Sequence, residues 1–198
     1  MSRKFDIYQQ ADKVAEYIMK QYSREFMKYQ TMKADELNVI KKSKQLYEWL
    51  DKVTREAYGM MANLIYKHYA NEDGDLAEAW LSGILNDYDP VTKYVYTNEW
   101  ERKRQRYAEG MIAGKDKSFE SKLAMRLLAR QAVQYTITIA DDAQIEAYKV
   151  NGVKKIRWVS ENDSRVCEVC QKRNNHVYDI DKIPPKPHYG CRCRFVPA

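Results

Sequence analysis

The chain has no cysteine in its first 166 residues, and it has three histidines in all, His68, His176 and His188. No apolar run approaches the roughly 20 residues needed to cross a bilayer. The opening segment, MSRKFDIYQQ, lacks the apolar stretch of a secretory signal. No internal repeat and no low-complexity segment is visible. Neither sign of charge dominates: 34 Lys and Arg face 28 Asp and Glu, a net +6. These absences argue against membrane insertion and secretion and lead to the expectation of a chain made in a reducing cytosol, where clustered thiols are more often metal ligands than disulfides.

What is present describes a folded, soluble protein. Hydrophobic residues make up 44% and charged residues 31% of 198, enough for one domain, or one domain with an appended module, to bury a core without disulfides. The cations are spread through helical segments such as KVTREAYG and NEWERKRQRY, close to acids. That is the pattern of solvated helix faces, though it also permits a surface that contacts nucleic acid. Tyrosine supplies 16 of the 24 aromatic residues. Its apolar ring and polar tip suit half-buried helix faces and protein interfaces.

Residues 1 to about 150 read as helix. From Asp35 to Tyr69, the apolar positions Leu37, Ile40, Tyr47, Leu50, Val53, Ala57, Met60, Leu64 and Ile65 mostly step by three or four, which predicts one long amphipathic helix. NEDGD ends it. Asp75 with Glu78 fits a capping box opening a short helix, which NDYDP breaks, and Asn98 with Glu101 fits a second box. Gly110 and Gly114 loosen the chain before a helix from about Ser118 to Val150. Within that helix YTITIA, rich in β-branched residues, favours a strand, but both flanks are strongly helical. Asn151-Gly152 is its expected C-terminus. After Gly152 the pattern changes to short β candidates: VKKIRWVS, HVYDI and CRCRFV, the last two separated by PPKP. The predicted fold is mainly α with a small C-terminal β, zinc-knuckle module, an α+β chain. It divides into a helical region over 1–117 and a C-terminal domain over 118–198, with its knuckle at 156–196.

All four cysteines lie in that knuckle: Cys167 and Cys170 as C-x2-C, then, after twenty intervening residues, Cys191 and Cys193 as C-x-C, with His188 three residues before Cys191. A C-x2-C turn brings two thiolates to one ion, and residues two apart on a strand face the same side. Zinc takes four sulfur or nitrogen ligands in a tetrahedron. Five candidates are present, so either the four cysteines bind or His188 replaces Cys191 or Cys193. A disulfide pairing, or unliganded thiols used as small core residues, would fit the same spacing. No open site with a neighbouring general base is apparent, so a metal here is expected to be structural, holding a module too small to fold on its core alone.

The residues Trp158, Asp163-x-Arg165-Val166-Cys167-x-x-Cys170, Tyr178, the proline-rich stretch and His188-x-x-Cys191-Arg192-Cys193 together resemble the C-terminal signature of the phage Mu F-like minor head proteins. The run from Arg130 through EAYKVNGVKKIRW strengthens the likeness, which covers about 120–196. The chain departs from the family pattern at Gln131-Ala132, at Asn174-Asn175, where glycine is usual, and at His188-Tyr189. Asn tolerates a left-handed turn. The resemblance implies a minor capsid component without enzymatic activity, made in the host cytoplasm and located in the virion head interior or portal vertex. Its partners would be the portal and major capsid proteins, with weak, non-specific DNA contact compatible. Within the motif, Trp158 is expected to cover the knuckle's apolar side. Asp163 and Arg165 are expected to pair or cap the turn at Cys167, and Arg192 to point outward into solvent or toward a partner.

Two other function classes fit parts of the sequence. A zinc ribbon binding nucleic acid would use Lys154, Lys155, Arg157, Lys172 and Arg173. A metal-dependent nuclease would need a histidine base and further ligands on a following helix, and no helix is expected after Cys193. A toxin carried by a phage-like particle would need a further domain, and none is expected after Ala198.

Overall fold

The structure, a computed structural model, describes residues 5–30, 39–70, 74–76, 78–86, 106, 109–110, 112–113, 136–161, 163–188 and 191–198. The expected Asn98–Glu101 box, Gly114, the start of a helix at Ser118, Arg130 to Ala132 and the 117/118 boundary lie outside these residues. Gly110 sits in helical backbone rather than in a loosened stretch.

Helix α1 spans Ile7–Gln30 and α2 spans Val39–Ala70. Asp6 caps α1: its Oδ1 accepts from the amides of Tyr8 (2.9 Å) and Gln9 (3.4 Å). Buried residues on α1 are Ile7, Ala11, Ala15, Ile18, Tyr22, Phe26 and Tyr29, stepping by three or four. All but Ala15 share one core cluster with Leu46, Ala57, Met61, Ala62 and Ile65 of α2. Phe5 stacks on His68 while Tyr22 hydrogen-bonds Thr54, so the two helices run antiparallel. The long helix read from the apolar stepping is therefore present.

After α2 the chain is drawn back: the Leu76 amide donates to Asn63 Oδ1 (2.9 Å), and Asp75 pairs with Lys67 (2.8 Å). Helix α3, Glu78–Asn86, opens on Glu78. The expected box puts Glu78 in the third helical position, but Leu76 is not helical and Asp75 pairs with Lys67 of α2 instead.

Helix α4 occupies 136–150. Thr136, Ile137, Thr138 and Ile139 are helical despite their strand propensity. Thr136, Ile139, Ala140, Ala143 and Ala147 form one buried face, and tertiary packing decides the matter. Its end is the predicted one. Gly152 has φ +75°, its amide donates to Lys149 O (2.9 Å), and Val153 N donates to Tyr148 O (3.0 Å). That pair of bonds is a Schellman closure.

Strand β1 (Lys155–Val159) follows, then helix α5 (Glu168–Arg173), β2 (Val177–Asp179), a 3-10 turn (Ile180–Lys182) and β3 (Arg194–Pro197). The strands form one antiparallel sheet in the order β2-β1-β3. The α+β class is as read. One detail differs: CRCRFV is not a strand throughout, because pairing with β1 begins only at Arg194. Burial still alternates through Cys191, Cys193 and Phe195.

Two cores result among the described residues. One lies between the helices. The other gathers Tyr148, Ile156, Trp158, Cys170, Ile180, Cys191, Cys193 and Phe195. Tyr69 touches both, with its ring edge-on to Tyr148 at 5.6 Å. No described helix is long and apolar enough to cross a membrane.

Candidate metal centre

Cys167 is the N-cap of α5. Its Sγ accepts from the Cys170 amide (3.4 Å) and its carbonyl from Gln171 N (2.9 Å). The turn that delivers it is built by Asp163, whose Oδ1 accepts from Arg165 N (3.0 Å) and whose carbonyl accepts from Val166 N (3.3 Å). The expected cap is thus made by Asp163. Arg165 adds its amide and, at 3.6 Å, its guanidinium. The donated Cys170 amide pulls the Cys167 thiol below its ordinary pKa.

Cys170 faces inward one turn later. Its Sγ lies 3.5 Å from Cys191 Sγ and 4.0 Å from His188 Nε2. The ligand atoms of Cys167, Cys170 and His188 lie within 4.8 Å of one another, as do those of Cys170, Cys191 and Cys193. Cys170 belongs to both groups. All five candidate ligands therefore converge, and the four cysteines are not joined by disulfides. His68 stacks on Phe5 and His176 lies beside Tyr178, so of the three histidines only His188 joins the described cluster.

The local environment keeps the buried thiols of Cys170 and Cys191 protonated until a cation displaces their protons. Cys170, Cys191 and Cys193 are 2%, 2% and 3% exposed. Burial, and in second place the neighbouring thiols, push the Cys170 thiol well above its usual range; burial likewise raises Cys191. Buried thiols held this close together are poor hydrogen-bond partners for one another. The donor set is soft, either four sulfurs or three sulfurs and a ring nitrogen. A tetrahedral ion with metal–sulfur bonds near 2.3 Å would put sulfurs about 3.8 Å apart. The residues fit a four-coordinate metal ion.

The surroundings hold the ligands in place. Trp158 is fully buried against the rings of Phe195 (5.1 Å) and Tyr178 (6.4 Å), with the Arg173 guanidinium 5.0 Å from its centroid. It covers the apolar side of the knuckle as expected, and its Nε1 has no hydrogen-bond partner among the described residues. Asn175 takes the left-handed conformation (φ +64°) that glycine would supply, and its amide donates to Trp158 O (2.8 Å). Arg192 points outward between the buried Cys191 and Cys193, its side chain 41% exposed, and there it pairs with Asp163 Oδ1 at 2.8 Å rather than standing free in solvent.

Residues 97–196 match the sequence model of the phage Mu protein F-like family. The chain belongs to that family. The matched segment ends on the knuckle and includes every cysteine and His188. Membership points to phage head morphogenesis and to capsid-related partners. No curated protein and no solved structure matches the chain.

Three residues around the knuckle were not legible as part of it. Tyr8 donates its hydroxyl proton to the Cys193 carbonyl. Lys186 Nζ lies 3.0 Å from Tyr8 Oη and 2.6 Å from Asp141 Oδ2. Tyr8 is 185 residues from Cys193, and no local pattern signals such a contact. Asp141 did carry a signal: it is an acid on the buried face of α4, between Ile137, Ala140 and Gln144.

Proposed function

We propose that this chain is a minor, non-enzymatic protein of a tailed bacteriophage head. It joins the portal and major capsid proteins at the procapsid interior and supports head assembly, DNA packaging or ejection. It is made in the host cytoplasm and retained in the virion. Its knuckle binds one structural zinc through four of Cys167, Cys170, His188, Cys191 and Cys193. The observation that carries this reading is the family match over 97–196, which ends on the converging cysteines.

The packing supports a structural ion over a catalytic one. Three of the four thiols are part of a core with Trp158 and Phe195, whereas a catalytic zinc keeps an open position beside a proton-transfer group. Zinc is the choice among metals because the donors are soft and tetrahedral placement suits them.

Charge supports a docking role for the module. Residues 151–198 hold ten Lys and Arg against five Asp and Glu, a net +5 of the chain's +6. The acids are largely engaged: Asp163 by Arg192, Glu161 by Arg194 and Asp181 by Lys149. On the open face of the sheet Arg157 stands between Val177 and Val196 and has no partner among the described residues. An exposed cation on an apolar platform suits a protein partner with acidic side chains.

The test is co-sedimentation. The chain is expressed with the portal and major capsid proteins encoded beside it, and purified procapsids are quantified by mass spectrometry. A few copies per particle, retained at high salt, are expected. Absence from particles, together with DNA binding by the isolated chain that falls steeply with salt, would replace this reading by a zinc-ribbon nucleic-acid binder. Cleavage of plasmid DNA with added divalent metal, lost on His176→Ala, would make it an enzyme.

A further inference from the structure

We propose that Tyr8, Asp141 and Lys186 form a clamp through which the knuckle holds the first helix, so that metal occupancy and docking of α1 are coupled. The inference rests on the metal reading above but is independent of the phage assignment. It gives a role to a residue, Tyr8, that lies outside the family-matched segment.

Three parts of the chain meet at one largely buried polar node, in which Asp141 is buried and Tyr8 and Lys186 are partly so. Tyr8 stands in the first turn of α1, Asp141 in the middle of α4, and Lys186 in the proline-rich stretch that leads to His188. Lys186 and Asp141 pair with side chains 13% and 5% exposed. The ammonium also lies over the rings of Tyr8 (4.9 Å) and Phe195 (5.4 Å). It donates to the Tyr8 oxygen, and the Tyr8 proton goes to the carbonyl of Cys193. The second Asp141 oxygen stands 3.5 Å from Tyr8 Oη.

A buried polar node is stable only when every member is satisfied. Removing one leaves the others desolvated and unpaired. Two members are fixed by helices. The other contacts come from the ligand-bearing stretches 183–188 and 191–193, which have no strand or helix of their own. Arg173 on the Pro185 carbonyl (2.7 Å) and Arg192 on Asp163 (2.8 Å) hold one point of each stretch; the ion they would bind and the clamp itself fix the rest. Losing the ion frees Cys193 and His188, and the clamp then loses the geometry that anchors the start of α1. By linkage, releasing Tyr8 must weaken the ion by the same free energy. Groups that orient metal ligands typically alter affinity by about 10–100-fold when removed. A single hydrogen bond to a ligand's backbone belongs at the low end of that range.

The experiment uses the full chain loaded with zinc. Zinc transfer to a chromophoric chelator is timed, and hydrogen exchange is followed over the first turns of α1 with and without zinc. In the wild-type chain, zinc removal is expected to raise exchange at the start of α1. Tyr8→Phe is expected to release zinc about tenfold faster and to make that exchange insensitive to zinc. Lys186→Met provides a second variant with the same expected outcome. Tyr22→Phe, which removes a buried α1 hydroxyl bonded to Thr54 instead, should lower stability and leave zinc release unchanged. If zinc binds but both clamp variants release it at the wild-type rate, and α1 exchange ignores zinc, the clamp is wrong and the metal reading stands. A chain that takes up no zinc overturns both.

Discussion

Arg192 reaches Asp163 across 29 residues of sequence, at 2.8 Å. Asp163 builds the turn that presents Cys167, and Arg192 lies between Cys191 and Cys193. One carboxylate therefore ties together the two cysteine pairs. Hydrogen bonding from Arg192, and then from the Arg165 amide, holds its pKa down at about 2. The folded value lies below the ordinary one of about 3.9. The stabilisation is therefore present above about pH 4 and is lost as pH falls toward 2. Carboxyl titration followed by NMR should place the Asp163 midpoint near 2, and Arg192→Gln should move it upward.

The buried Lys186–Asp141 pair makes a different prediction, about stability. Asp141→Asn alone leaves the ammonium desolvated without its counter-charge and is expected to cost about 3–5 kcal/mol. The double variant Asp141→Asn, Lys186→Met removes both charges and should recover much of that loss. Chemical denaturation monitored by circular dichroism measures both. Equal losses for the single and double variants would show that the charges do not depend on each other.

Gly152 isolates a backbone effect. A Cβ there would meet nothing within 4 Å, and φ is +75°. Gly152→Ala should therefore cost only the left-handed penalty, about 1–2 kcal/mol. Gly152→Asn should cost less, since Asn visits that region more readily. A much larger loss would mean that the α4-to-β1 turn carries contacts beyond its Schellman bonds.

The parts of this fold that sequence made legible are those whose rules are local. The stepping of apolar residues located α2, the Asn151-Gly152 pair located the end of α4, and Cys spacing located the knuckle. The Asn174-Asn175 pair stands where the family usually has glycine, and of the two it is Asn175 that takes the left-handed turn. What escaped depends on tertiary placement. Asp75 left its expected cap for Lys67, Arg192 folded back onto Asp163, and the strand after the second cysteine pair started at Arg194 because only there does β1 offer partners. The contact of Tyr8 with Cys193 joins opposite ends of the chain, and a one-dimensional pattern has no term for it.

Arg157 tests the docking face. It lies on the central strand, exposed, with Val177 (45% exposed) and Val196 beside it. Arg157→Glu reverses a surface charge and disturbs no buried group, so stability should change by less than about 0.5 kcal/mol. Retention in procapsids should fall. Unchanged retention would move the partner contact away from the sheet.

Cys170 is the ligand on which the metal centre depends most. It is shared by both groups of converging donors, whereas Cys167 and His188 occur in one group and Cys191 and Cys193 in the other. Cys170→Ser should therefore abolish zinc uptake and open the knuckle while leaving the helices formed. The remaining ligand choice is between His188, whose side chain is exposed, and one of the buried thiols Cys191 and Cys193, with Cys193 the one to substitute. The buried Cys193 thiol lies inside the sulfur cluster with Cys170 and Cys191, whereas His188 groups with Cys167 and Cys170. Cobalt substitution distinguishes the two by its thiolate charge-transfer absorption. His188→Ala should keep a four-thiolate spectrum, and Cys193→Ser should reduce its intensity. The reverse pattern would make His188 the fourth ligand and leave Cys193 as a core thiol whose carbonyl, bonded to Tyr8, is its structural contribution.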